Sequence, residues 1–91
     1  MPNKRQQLTE LDFAKALEGI QIKLEFRQKQ KGMHTYASIH EALGILQEEM
    51  TEFENEVHGK LSRNLQIEEL KDIAVAAIWA IASIESNGID W

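Results

Sequence analysis

Cysteine is absent from the 91 residues, which excludes a disulfide framework and any thiolate metal site and suits a reducing compartment. Proline occurs once, as Pro2, so no ring interrupts a helix further along. Long apolar runs are missing too. The longest, from Ile73 to Ala82, is about half the roughly 20 residues needed to cross a bilayer. The opening Met1-Pro2-Asn3-Lys4-Arg5-Gln6-Gln7 is polar, with no apolar stretch to read as a secretory signal. These absences predict a cytoplasmic protein without a membrane partner. Positive charge is scarce: 10 Lys and Arg stand against 15 Asp and Glu, a formal net charge of −5. That balance argues against a nucleic-acid partner, because phosphate-backbone binding needs a basic face. Neither a Gly-rich phosphate loop nor a G-x-S-x-G elbow is present.

What remains reads as helix throughout. Residues 1–8 form an expected tail, with Thr9 as N-cap and Asp12 in the first turn. Leu11, Phe13, Ala16, Leu17, Ile20 and Leu24 then recur mostly at three and four, predicting a helix to about Gln30. Gly19 inside it marks either a weak point or a close helix contact. Lys29, Lys31 and Gly32 are C-terminal signals. Ser38-Ile39-His40-Glu41 has the form of a capping box. It opens a helix whose Ile39, Ala42, Leu43, Leu46, Met50, Phe53 and Val57 share a stripe, with Gly59 expected just past its end. Asn64 is the expected cap of a last helix from about Gln66 to Ser86, stopped by Asn87-Gly88. Its middle is apolar on every side, the mark of a central helix. Two neighbours cannot surround it. The expectation is an all-α, three-helix protomer of one domain (residues 9–88, with 89–91 as an end), an antiparallel bundle completed as a homodimer or homotetramer.

Acidic residues stand at helical spacing in two places. Glu48, Glu49 and Glu52 lie one turn apart on the second helix, and Glu69 and Asp72 repeat the device on the third. Paired carboxylates repel unless a cation or proton lies between them. At about 100° per residue, a stripe centred near Leu46, Ile39 and Val57 puts Glu49 on its shoulder, Glu52 just beyond and Glu48 further out. No Lys or Arg interrupts the acids between Glu41 and Lys60, so the usual i, i+4 pairing is missing. Four carboxylates on two antiparallel helices suit a hard cation such as Mg²⁺. A solvated acidic face is the plainer alternative.

The string Glu48-Glu49-x-x-Glu52, then sixteen residues, then Glu69-x-x-Asp72 resembles the EExxE…ExxD signature of the MazG-like all-α nucleoside triphosphate pyrophosphatases. The lead-in Ser38-Ile39-His40-Glu41-Ala42-Leu43-Gly44-Ile45-Leu46-Gln47 is similar as well, and the likeness covers about residues 9–86. The resemblance implies a helical fold of that kind and Mg²⁺, or Mn²⁺, held by Glu49, Glu52, Glu69 and Asp72. It implies catalytic carboxylates at Glu48 and Glu49 and cleavage of a nucleoside triphosphate to monophosphate and pyrophosphate. Basic residues should meet the phosphates: Arg27, Lys29, Lys31, Lys60 and Arg63 stand near helix ends, and His34 and Tyr36 lie in the connector before the acidic helix, where they could border a nucleotide. One departure is visible. Ala76, Trp79 and Ser83, on the flank beyond Asp72, carry no charge, which leaves phosphate contacts to other helices or another subunit.

His34, His40 and His58 form no Glu-x-x-His pair, which disfavours a ferritin-like di-iron site. Trp79 reads most simply as an interface residue. The competing class is a non-enzymatic oligomeric helical interaction protein that uses its apolar third helix to associate and its acids for solubility, or a MazG-like relative that has kept the acids and lost the activity.

Overall fold

The structure is a computed structural model and describes residues 5–59 and 62–89. The expectation for Lys60 as a phosphate partner, and those for residues 1–4 of the tail and 90–91 of the chain end, lie outside those residues. Three α-helices make up the described chain, with no strand among them: α1 Glu10–Lys31, α2 Ile39–Gly59 and α3 Arg63–Glu85. None is long and apolar enough to cross a membrane.

The ends of the helices follow local chemistry. Thr9 caps α1 reciprocally: its hydroxyl accepts from Asp12 N–H at 3.1 Å, while the Asp12 carboxylate accepts from Thr9 N–H at 2.8 Å. Gly32 ends α1 at φ 83°, a left-handed backbone that favours glycine. Ser38 Oγ accepts from Glu41 N–H at 3.1 Å, and Glu41 reaches one residue beyond the cap to Ala37 N–H at 2.8 Å. Gly59 is the last residue of α2 rather than the one after it. Ser62, not Asn64, caps α3. Its extended backbone lets the hydroxyl accept from Asn64 and Leu65 N–H, so the helix starts three residues earlier than periodicity implies. α3 closes in a Schellman motif, with Asn87 at φ 60°, Asn87 N–H on Ile84 O and Gly88 N–H on Ser83 O.

α3 packs against both other helices, while α1 and α2 do not pack against each other. Glu49 of α2 meets Glu69 and Asp72, and Tyr36 ahead of α2 meets Trp79 and Ser83, so α2 runs antiparallel to α3. α1 joins α3 from Gly19 onward, where an added Cβ would lie 2.9 Å from Lys71 Cε. Before that point every described residue of α1 is exposed, Leu11, Phe13 and Leu17 included.

The buried core is small: Ala42, Val75, Ala76 and Ala80, with Ser83 as its one polar member. The inward arc of α2 runs through Ala42, Leu46, Glu49, Phe53 and Glu56, roughly 50° from the stripe centre read off the sequence. Leu43, Met50 and Val57 are left exposed. The periodic pattern counted every apolar residue, but only part of that stripe faces α3.

Two residues of α3 tie down the connector before α2. Trp79 Nε1 donates to His34 O at 2.7 Å, and its ring stacks on Tyr36 with centroids 6.4 Å apart. Trp79, expected at a subunit interface, is thus engaged within the chain. The Ser83 hydroxyl donates to Trp79 O at 2.8 Å and accepts from Tyr36 N–H at 3.1 Å. Gly88 packs so close to Thr35 that an added Cβ would fall 2.5 Å from its Cγ2. Ser83→Ala leaves the Tyr36 N–H without its acceptor, at a cost of about 1–3 kcal/mol. Thermal melts should show a lower Tm; an unchanged Tm would mean that this tie carries no stability.

Candidate metal centre

Glu49 lies at the middle of the α2 surface that faces α3, which is why its carboxylate meets those of the third helix. Glu49, Glu69 and Asp72, all half-buried, each offer an oxygen within 4.8 Å of the others. Glu48, Glu49 and Glu52 form a second such group, with Glu48 and Glu52 exposed. Glu49 belongs to both. Glu52 is therefore not turned inward as the wheel implied. The rotation of α2 moves Glu49 to the centre and leaves Glu52 at the rim, close enough to raise the pKa of Glu69.

The electrostatics record the crowding. Burial pushes the Glu49 carboxyl above its usual value, helped by the charges of Asp72, Glu52 and Glu69 and opposed by Arg27. Burial and then Glu52 and Asp72 do the same to Glu69. One oxygen each of Glu49, Glu56 and Glu69 is inaccessible and has no hydrogen-bond partner. A buried carboxylate oxygen without a partner is costly, and a divalent cation ligated by Glu49 and Glu69 would remove the cost at those two; Glu56 belongs to neither group. The donor set is all carboxylate, which suits Mg²⁺ or Mn²⁺. The residues present fit such an ion.

Asp72 differs from its neighbours in having protein cations against it. Lys23 Nζ lies 2.8 Å and Arg27 Nη2 3.1 Å from its Oδ1. Burial alone would lower the Lys23 pKa, but Asp72 and Glu68 outweigh it and the value is raised. Neither contact is visible in a one-helix periodicity; the only trace is that Lys23 and Arg27 stand four apart on the face of α1 that also carries Ile20 and Leu24.

Beside the carboxylates a groove of about 250 Å³ opens between the helices. Glu48, Glu49 and Asp72 line one part, Arg27 and Lys31 of α1 another, and His34, Tyr36 and Trp79 a third. Ile45, Val75 and Ala76 form its apolar floor. Lys31 and His34 are thus brought to the acids, whereas Lys29 is exposed on α1 and is not part of the wall. Arg27, one of the basic residues near helix ends expected to meet phosphate, lines the groove as well, whereas Trp79, read from the sequence as an interface residue, was not expected in its wall. Burial and then the charges of Glu41 and Glu49 hold the Tyr36 phenol above its usual range, as a neutral ring.

Comparison with known proteins returns no matching family model, no curated protein and no solved structure.

The pKa directions set a pH response. A carboxyl raised in the folded state binds protons more readily than in the unfolded chain. Metal-free protein should therefore gain stability as pH falls through the raised values of Glu49 and Glu69 towards 4.5. Glu68 is lowered, chiefly by its hydrogen bond from Lys23. Its contribution is present above the ordinary value of 4.5 and lost as pH falls through the folded value, so the two effects occupy separate windows. Glu49→Gln mimics the protonated form. In EDTA at neutral pH it should raise Tm by about 2–4 °C, a figure kept small by solvent screening, and it should abolish the stabilisation that millimolar Mg²⁺ or Mn²⁺ gives the wild type. A fall in Tm in EDTA would contradict the crowding of these acids.

Proposed function

We propose that the chain is a Mg²⁺-dependent nucleotide pyrophosphohydrolase of the MazG-like kind, which cleaves a nucleoside triphosphate to a monophosphate and pyrophosphate. The observation that carries the reading is the groove, where carboxylates, cations and an aromatic pair converge. Those complement the three parts of a metal-bound nucleotide: the cation, the phosphates and the base. Glu49, Glu52, Glu69 and Asp72 hold the ion, with Mn²⁺ able to take the place of Mg²⁺. When bound, the ion supplies neutralisation of phosphate oxygens.

Each part of the chain then has a task. Glu49 spans both acidic groups and fixes them relative to each other. Glu48, exposed at the rim, has the freedom to accept a proton from an attacking water. Lys31 and His34 meet the substrate from the connector side, with Lys29 flanking them at the end of α1. Tyr36 and Trp79 offer a flat apolar surface to a base.

Assembly completes the packing. A chain of this length packed alone has a radius of gyration of roughly 12 Å, whereas this one has 15.3 Å. Large apolar side chains remain exposed on all three helices, among them Phe13, Leu17, Leu43, Met50, Ile81 and Ile84. A second copy, or three more, would cover them. Size-exclusion chromatography with light scattering should give twice or four times the 10.4 kDa chain mass. A 10.4 kDa particle at micromolar concentration would refute the oligomer.

The rival reading is a non-enzymatic oligomeric interaction protein. The observation in its favour is the double ion pair on Asp72, which satisfies one acid without any metal. A pyrophosphate-release screen over ordinary and modified nucleoside triphosphates in Mg²⁺ decides between them. The hydrolase reading expects turnover of at least one substrate, reduced about 100-fold or more in Glu49→Gln and Asp72→Asn. Release that is absent for every substrate, or indifferent to both substitutions, leaves the interaction protein.

A further inference from the structure

Lys23 and Arg27 both touch Asp72 Oδ1 from α1, but they have spent their donors differently. An ammonium has three N–H groups. Those of Lys23 meet Asp72 Oδ1 at 2.8 Å, Glu68 Oε1 at 2.9 Å and Glu68 O at 3.2 Å. Nothing is left over, and the side chain is only 17% exposed. A guanidinium has five N–H groups in a fixed fork. Among the described residues Arg27 uses one hydrogen bond, from Nη2 to Asp72 at 3.1 Å, and its side chain is 31% exposed on the wall of the groove. Lys31 lies one turn further along the same wall and has no carboxylate against it among the described residues.

We propose that Arg27, supported by Lys31, is the oxyanion receptor of the groove and takes the pyrophosphate moiety of a nucleotide, while Asp72 holds the guanidinium in place until that anion arrives. Lys23 is a positioning residue that keeps Asp72 fixed. The inference rests on the nucleotide reading of the groove and adds the residue that meets the phosphates.

The energetic argument is one of exchange. Arg27 gives up a single contact on one carboxylate oxygen. A phosphate offers two oxygens to the fork at once, and bidentate pairing is both stronger and more specific. Removing a partner from a buried charge normally costs heavily. Here Asp72 keeps Lys23, so the departure of Arg27 leaves no bare carboxylate. Lys23 is what makes the exchange affordable. The same geometry answers the missing charge at Ala76, Trp79 and Ser83: α1 provides the cation that α3 lacks.

Calorimetric titration with inorganic pyrophosphate, in EDTA at low ionic strength, tests the assignment without any metal. Asp72→Asn frees the fork and removes a negative charge, so it should bind pyrophosphate several-fold more tightly than the wild type. Adding Arg27→Gln to that background should weaken binding about tenfold or more. Arg27→Lys should fall between, keeping the charge but losing the fork. Lys15→Gln, on the exposed part of α1, controls for net charge and should stay within about twofold. If Asp72→Asn does not fold by circular dichroism, the same comparison of Arg27→Gln with Lys15→Gln in the wild-type background decides. Affinity indifferent to Arg27, or a folded protein that takes up no pyrophosphate at millimolar concentration, overturns the proposal. Because no turnover is measured, failure of the hydrolase reading would show in the release screen and not here.

Discussion

Carboxylates whose oxygens lie within 4.8 Å of one another repel, and yet Glu49, Glu69 and Asp72 are held at that distance in a half-buried position. The packing of α2 on α3 holds them there. Val75, Ala76 and Ala80 of α3 bury against a neighbour with little side chain to spare, and Ala42 lets α2 approach closely. Once that small-residue seam sets the rotation of α2, Glu49 must face Glu69 and Asp72. Hydrophobic burial along the seam therefore carries an electrostatic cost at its end, and the orphaned oxygens of Glu49 and Glu69 are where that cost resides.

α1 answers part of it. This helix brings no buried residue of its own, and its tie to α3 includes Lys23 and Arg27 on Asp72 and Lys23 on Glu68. The pairing neutralises one of the three clustered acids and leaves two. That asymmetry gives the site a graded character: Asp72 is already satisfied, while Glu49 and Glu69 remain short of a cation. It also joins α1 to the groove, so the helix with the weakest packing is the one whose charges border the site.

Much of the scaffold was legible in the sequence. Thr9 with Asp12, Ser38 with Glu41 and Asn87-Gly88 all act locally, within a turn of where they stand, and local chemistry can be read without a fold. The acidic pairs were legible for the same reason. The rotation of α2 was not, because Leu43, Met50 and Val57 count equally with Ala42 and Phe53 in a periodic pattern although they face different surroundings. The cap of α3 was read as Asn64 although it is Ser62, because both residue types suit the position and only the extended backbone of Ser62 chooses between them. Contacts across more than forty residues, Arg27 to Asp72 and Trp79 to His34, leave no spacing in the chain to find. Those long-range ties distinguish a groove from a charged helix face.

The central claim is that the clustered carboxylates bind a divalent cation, and a Mn²⁺ titration followed by electron paramagnetic resonance reads it most directly, since bound ion loses the sharp signal of free Mn²⁺. The account predicts saturable uptake by the wild type that is lost or strongly weakened in Glu69→Gln and unaffected in Glu10→Gln, a remote exposed acid. Mn²⁺ that stays free at millimolar concentration, or uptake equally strong in Glu69→Gln, would contradict it.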